Sequence, residues 1–316
     1  MNEFKLKELV SQILKFSPRQ GENEARTAQF ITFILGQHGV PCSAQRFFTY
    51  LPKLKKVVLT ADGKNIPCES TSFTGGKIVG KENIFSSLLD TQISPCLSNI
   101  NFNPNCEEIS LVDSYFAPSL AIKAKDLVKV LAASKVEGEI KVSPLKHQSM
   151  NILVGNKVNP KFILFAHYDS IKTGATDNAS GVAVMMKMII SSPETLQNSL
   201  YVFSGNEELS YDKPVYWGRG FRVLEKRLPQ AFEKSKEIIV IDCVGNGKTN
   251  FSQDKKWLYL GFPIKNMEKY SHKIYFVFGD MEKLMKVYHS DADTIDQLEE
   301  KYLDEAVKKT LAKMKA

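Results

Sequence analysis

Five cysteines stand in this chain (Cys42, Cys68, Cys96, Cys106 and Cys243), and no two are spaced as Cys-x-x-Cys. A zinc ribbon and a thioredoxin-type centre are thereby excluded. Cys96 and Cys106 are near enough in sequence for a loop disulfide, but reduced thiols are expected of a cytoplasmic protein. No apolar run approaches the roughly 20 residues of a membrane span. The opening Met1-Asn2-Glu3-Phe4-Lys5-Leu6-Lys7-Glu8 lacks the basic-then-apolar order of a secretory signal. A cytoplasmic setting with no membrane partner is the expectation. The formal charge is +7, yet the lysines are scattered and no basic–aromatic stripe appears, so nucleic acid is not an expected partner. Internal repeats and low-complexity tracts are missing. Histidine is scarce, with five in the chain, and His147 is the only one between 51 and 150.

What the chain does have is length for one large core plus a smaller appended unit: 316 residues. Apolar positions at helical spacing predict helices over 3–16 and 23–38, the second with Ala28, Ile31 and Leu35 on one face. Gly39 ends it, and 43–49 reads as a strand. From 51 to 149 the texture is of short strand-like pieces (56–60, 108–112, 138–142) between turn signals at Asp62-Gly63 and Gly75-Gly76, with one helix at 125–133. This span reads as a small β-rich insert or lid without candidate ligands. From 151 onward strands are expected at 152–154, 162–166, 200–204, 238–241, 257–260 and 274–278, with helices between several of them. The closing helix opens on Thr294-Ile295-Asp296-Gln297, a capping-box pattern, and buries Leu298, Val307 and Leu311. Alternation of this kind predicts an α/β fold with a mainly parallel sheet covered by helices.

The stretch 162–188 organises the chemistry. The apolar run 162–166 breaks at His167-Tyr168-Asp169, at the C-terminal end of a strand, where ligand sites collect in open α/β sheets. Asp177-Asn178-Ala179-Ser180-Gly181 follows at a strand–loop–helix junction, with small residues that let the helix start pack closely. Other apolar runs deliver Glu207-Glu208, Asp242, and Tyr288-His289 with Asp293-Thr294 in the same way. Each has an ordinary explanation alone. An adjacent Glu pair is usually surface charge, an Asp closing a strand is commonly a turn residue, and Asp293 would favour a helix N-terminus electrostatically. Their shared placement along one α/β pattern outweighs those explanations. Two histidines and three carboxylates suit a dinuclear zinc site, whose ions take N and O donors and keep a place for water. A spare carboxylate beside that water suits a general base.

These motifs, His167-x-Asp169, Asp177-Asn178-Ala179-Ser180-Gly181, Glu207-Glu208, Asp242 and Tyr288-His289-x4-Asp293-Thr294, resemble the co-catalytic zinc aminopeptidases of metallopeptidase family 28, a group that includes glutamate carboxypeptidase. The resemblance is good over 150–316 and loose over the N-terminal helices. It implies a three-layer α/β/α sandwich with a mixed, mainly parallel central sheet of the zinc-peptidase (phosphorylase/hydrolase-like) kind, built from 1–50 and 150–316. The insert, 51–149, would be a reduced counterpart of an apical protease-associated domain. The resemblance implies two zinc ions per chain, with cobalt or manganese as substitutes. One would take His167 and Asp242, the other Glu208 and His289, with Asp177 bridging. Glu207 would be general base and later acid, and Asp169 would accept the spare imidazole N–H of His167. A cis peptide is implied after Asp177. The activity implied is release of N-terminal residues from a peptide substrate. A glutaminyl-cyclase-like or other amide-directed enzyme on the same fold, or a non-catalytic peptidase-like binding protein, is the alternative. Two departures stand where substrate contacts are expected: 209–218 lacks the family's Gly-Leu-x-Gly-Ser, and the stretch from Asp242 to His289 is short, without a Ser-Asp-His run. No oligomeric state or preferred N-terminal residue is implied.

Overall fold

The computed structural model describes residues 5–88 and 97–315. Cys96 lies outside them, and Cys42, Cys68, Cys106 and Cys243 are free thiols. The chain forms two compact units, Met1–Thr49 with His147–Leu284 and Asp293–Ala316, and Tyr50–Lys146 with Met285–Ala292. The boundaries at 49 and 147 fall inside two 20-residue strands, Cys42–Ala61 and Val136–Gly155.

The first unit is built on a mixed sheet. Strands Phe162–His167, Ser199–Ser204, Glu237–Ile241 and Ile274–Phe278 run parallel, and Asn250–Ser252 and the end of Val136–Gly155 pair antiparallel at either side. Each parallel strand is apolar in nearly every position because both sheet faces are covered, as buried parallel sheets require. The period-two alternation sorts the side chains cleanly. Phe162, Leu164 and Ala166 enter one core with helices Leu6–Leu14, Glu22–Gln37, Ser180–Ser191 and Glu300–Lys315. Ile163 and Phe165 enter the other with Arg219–Arg227, Pro229–Lys234, Lys255–Gly261 and Met267–Tyr270. This is the three-layer α/β/α arrangement. Ala28, Ile31 and Leu35 are buried as their spacing requires. No helix among the described residues is long and apolar enough to cross a membrane.

Three local expectations fail. The stretch 257–260 is aromatic and apolar but lies in the helix Lys255–Gly261, because the Asp254 carboxylate caps it by accepting from Lys256 N at 2.8 Å. Only Leu258 of that helix is buried, and the edge-strand place goes to Asn250–Ser252. The stretch 108–112 is no strand. Its polar groups turn to 285–292 instead, Ser110 Oγ donating to Tyr288 O at 2.6 Å and Leu111 N to His289 O at 3.0 Å. The closing helix does not start on a capping box. Thr294 makes no side-chain cap, 295–297 is a single 3-10 turn, and the α-helix begins at Glu300. There the Glu300 carboxylate accepts from Leu6 N (2.5 Å) and Lys7 N (2.9 Å), satisfying orphan donors of the first helix.

The second unit carries its own core of Leu59, Ile78, Ile100, Leu120, Val130 and Ile140. Its sheet runs in the order Cys68–Ser70, Ser119–Ile122, Asn99–Phe102, Ile84–Ser86. The strand Gly76–Val79 pairs with Val136–Gly155. The helix expected over 125–133 is a 3-10 turn, Ala124–Asp126, running into Leu127–Ala132. His289 belongs to this unit.

Candidate metal centre

Strand Phe162–His167 ends on His167, whose ring is buried. Its Nδ1 donates to the main-chain carbonyl of Asp169 at 3.2 Å. Nε2 faces Asp177 Oδ1 at 3.0 Å and Asp242 Oδ1 at 3.4 Å, and carries the lone pair when the ring is neutral. Ligand atoms of His167, Asp177 and Glu208 lie within 4.8 Å of one another, as do those of Asp177, Asp242 and Cys243.

Asp177 is held from three directions. Gly174 turns the loop with φ +66, where a side chain would collide with Asp177 O, and Thr176 N and Asp177 N both donate to the Asp293 carboxylate at 3.0–3.1 Å. The Asp177–Asn178 peptide is cis. Asn178 then ties the helix start to the sheet: its Nδ2 donates to Ile241 O at 2.9 Å, and its Oδ1 accepts from Gly181 N at 3.0 Å. A Cβ on Gly181 would meet Asn178 Oδ1 at 2.4 Å and Ile241 O at 2.7 Å, so only glycine permits this approach.

Glu207 and Glu208 follow the strand Ser199–Ser204 and are both buried. Successive side chains on a strand diverge; here the chain leaves extended geometry at Asn206 (φ +50), whose amide closes on Leu209 O at 2.8 Å. Both main-chain N–H groups of the turn point at one carboxylate. Asp169 Oδ1 accepts from Glu207 N and Oδ2 from Glu208 N, each at 3.0 Å. The Asp169 carboxylate was expected on the imidazole of His167, but Oδ1 stands 3.6 Å from Nδ1. Its lone pairs are spent on the turn, and its carbonyl orients the histidine.

Burial pushes the Glu207 carboxyl well above its usual range. Glu208, Asp169 and Asp242 push the same way, and His167 opposes them. For His167 burial disfavours the imidazolium, but Asp242, Asp169 and Asp177 outweigh it and the pKa rises. Burial lifts Asp293 to about 6, against the donors at Thr176 and Asp177. So many buried carboxylates around one imidazole require positive charge. The chain itself supplies Arg19, fully buried, which donates to Tyr168 O (2.7 Å), Thr173 O (2.9 Å) and Gly174 O (2.9 Å). Burial lowers Arg19 to about 10, while Asp169, Glu208, Asp177 and Asp293 draw it back up. Arg19 braces the loops through their carbonyls. The His167, Asp177, Glu208 and Asp242 donors fit a divalent cation of the N/O-preferring kind, zinc included.

Within the second unit, His289 sits at φ +48 with Nδ1 at 3.0 Å from Leu111 O, which assigns that nitrogen the proton. Asp242 caps the strand Glu237–Ile241, accepting the Cys243 thiol at 3.3 Å. Sequence reasoning passed over Arg19, whose partners lie some 150 positions away in the chain, and Asn178 as a tether. Asp293 was visible in its motif, but its grip on the Asp177 loop was not.

The residues 209–218, where the family pattern departs, fold around two arginines. Asp212 accepts from Arg219 at 3.1 Å and Arg222 at 2.9 Å, and Arg222 also donates to Val215, Trp217 and Pro263 carbonyls. Gly218 N returns to Glu207 O at 2.5 Å.

The zinc aminopeptidase of Bacillus subtilis is 17% identical over 97% of this chain and 93% of its own, with a TM-score of 0.70. The aminopeptidase of Aneurinibacillus sp. strain AM-1 is 15% identical over 96% and 90%, TM-score 0.60. A glutaminyl cyclase of Tannerella forsythia is 15% identical over 98% and 96%, TM-score 0.52. At these identities the likeness is one of fold. No curated protein sequence matches the chain. Residues 150–250 match the family described as Peptidase family M28, a span that contains His167, Asp177, Glu207, Glu208 and Asp242. Over residues 150–250, the part that holds these candidate ligands, the chain is similar to peptidase family M28.

Proposed function

We propose that this protein is an aminopeptidase that hydrolyses the first peptide bond of its substrate with two divalent cations, zinc by donor preference, cobalt or manganese as substitutes. The observation that carries the reading is the convergence of His167 Nε2 with the buried carboxylates of Asp177, Glu208 and Asp242. Asp177, common to both donor groups, suits the bridging role; His289 enters the proposal through its motif alone. Divalent cations held by His167, Asp177, Glu208 and Asp242 would supply Lewis acidity and lower the pKa of a bound water. Glu207 would take a proton from the attacking water as its oxygen bonds to the carbonyl carbon, and return it to the amine nitrogen as the C–N bond breaks, which balances the hydrolysis. Its raised pKa suits both halves of this task, acceptor first and donor second. Asp169 fixes the Glu207–Glu208 turn, and Asp293 and Asn178 fix Asp177.

Aminopeptidase is favoured among the amide-directed activities because structures of like fold carry that name. The glutaminyl cyclase of like fold makes cyclisation of an N-terminal glutamine the second reading. A panel of aminoacyl-p-nitroanilides and of glutamine-led peptides, with metal content measured alongside, separates them. Chelator-sensitive p-nitroaniline release at two metals per chain supports the proposal. Ammonia release from the glutamine peptides at one metal per chain overturns it.

A further inference from the structure

The first unit contains a cleft of about 490 Å³ that shares no residue with the metal centre. Its cations are Arg46, on the strand Cys42–Ala61, and Arg219, Arg222, Lys226 and Arg227, on the helix Arg219–Arg227; among the described residues no carboxylate lines it. Two of the five are spent internally. Arg222 donates to three main-chain carbonyls as well as to Asp212. Arg219 is shared between Asp212, the Phe48 carbonyl and the ring of Phe47. Among the described residues the other three have no carboxylate partner. Arg227 donates only to the Arg46 main chain, at 2.8 Å, and the side chains of Arg46 and Lys226 make no ion pair among the described residues.

Lys226 and Arg227 by themselves would be explained by the helix C-terminus, which favours positive charge. That account does not reach Arg46, which comes from a strand, or Arg219, at the opposite end of the helix. Cations of one sign gathered in a concave site repel one another, and an anion that bridges them removes the repulsion. Guanidinium groups present paired N–H donors matched to the oxygens of phosphate and carboxylate. The cleft is not only polar: Phe47 is buried in its wall and Phe48 is 54% exposed at its edge. Its volume lies in the range of small-molecule sites, about 300–1,000 Å³.

We infer that this cleft binds a small organic polyanion, a phosphate ester or polycarboxylate, whose charged groups bridge Arg46, Lys226 and Arg227 and whose carbon skeleton rests on Phe47 and Phe48. The site stands independently of the proposed peptidase chemistry. It is joined to the Glu207–Glu208 turn through 209–218, because Arg219 and Arg222 hold Asp212 and Gly218 N bonds to Glu207 O.

Isothermal titration of the whole protein at about 0.1 M salt, with tripolyphosphate, ATP and citrate as probes, tests the inference without any activity readout. Saturable one-to-one binding is expected. Arg46→Glu and Lys226→Glu, both at exposed positions, should each weaken it by roughly tenfold or more, the loss of one charge-assisted contact. The exposed control Lys77→Glu in the second unit should leave it unchanged. Tighter binding of tripolyphosphate than of citrate assigns phosphate as the source, and the reverse order assigns carboxylate. The inference is overturned by absence of saturable binding at 5 mM of any probe (about the millimolar limit of useful affinity). It is equally overturned by binding that survives both reversals, which would place the anion on a metal instead. Stronger binding of a single-stranded oligonucleotide through the same residues would also defeat it.

Discussion

Replacing Asp169 by asparagine probes the geometry of the centre most directly. In the folded protein its two carboxylate oxygens each accept one main-chain N–H, from Glu207 and from Glu208, at 3.0 Å in a fully buried setting. Asparagine keeps the volume but replaces one acceptor oxygen with an NH₂ donor. One charge-assisted bond, about 1.5–3 kcal/mol, is lost, and a buried N–H is left facing a donor at a further cost of about 1–3 kcal/mol. The local penalty is therefore about 2.5–6 kcal/mol, and the turn relieves it by moving. Displacement of Glu207 by about 1 Å costs on the order of 10²-fold in rate. The expected result is a fall of at least that size in kcat/KM on an aminoacyl-p-nitroanilide. A Tm lowered by several degrees should accompany it, at roughly 2–4 °C per kcal/mol in chains of this class. Were the carboxylate chiefly an orienter of His167, the variant would instead lose metal affinity, about 10–100-fold, with Glu207 still in place. A variant with parental kcat/KM and parental Tm would refute the role assigned to Asp169.

Glu207→Gln should keep its fold and its metals while kcat falls about 10²–10⁴-fold; hydrolysis at the parental rate would remove Glu207 from the mechanism. Asp177→Ala should lower metal content at both positions together, read by elemental analysis after dialysis, and two ions retained would exclude the bridging role. Since Glu207 must be ionised to accept a proton and its pKa is raised by burial, kcat/KM should climb with pH through a limb above the ordinary glutamate value of about 4.3. A profile flat from pH 5 to 8 would contradict that. Arg19→Met leaves three carbonyls without their donor, and a stability loss of about 3–5 kcal/mol is expected in chemical denaturation; a change below 1 kcal/mol would mean the loops do not depend on it.

The candidate ligands stood out in the chain because His167 ends a strand of apolar residues, Asp242 follows another, and Glu207 and Glu208 stand just beyond a third. Runs such as 162–166 and 237–241 are buried on both faces, and only a covered parallel strand accommodates that. His167, Glu207, Glu208 and Asp242 end or follow neighbouring parallel strands and so come to one sheet edge by topology, while Asp177 lies in the segment after the first of them. Local signals failed where polar partners lie far off in sequence. The 257–260 run has strand-like composition but is pulled into a helix by the Asp254 cap. The residues 108–112 exchange a ladder for bonds to 285–292.

What tertiary structure alone decided is how the groups are aimed. Nothing near Asp169 in the chain says that its carboxylate will hold a turn 38 residues onward, or that its carbonyl will accept a hydrogen bond from His167 Nδ1. Nothing near Asp293 announces its hold on Thr176 and Asp177. Arg19 lies in an unremarkable inter-helix segment, yet it becomes the buried cation of an acidic centre. Apolar periodicity is a local property, written in every strand and helix by the requirement to leave water. Hydrogen bonds between buried polar groups are settled pairwise across the fold. Their cost when unmet is large, but the partner that meets it is known only once the chain has closed.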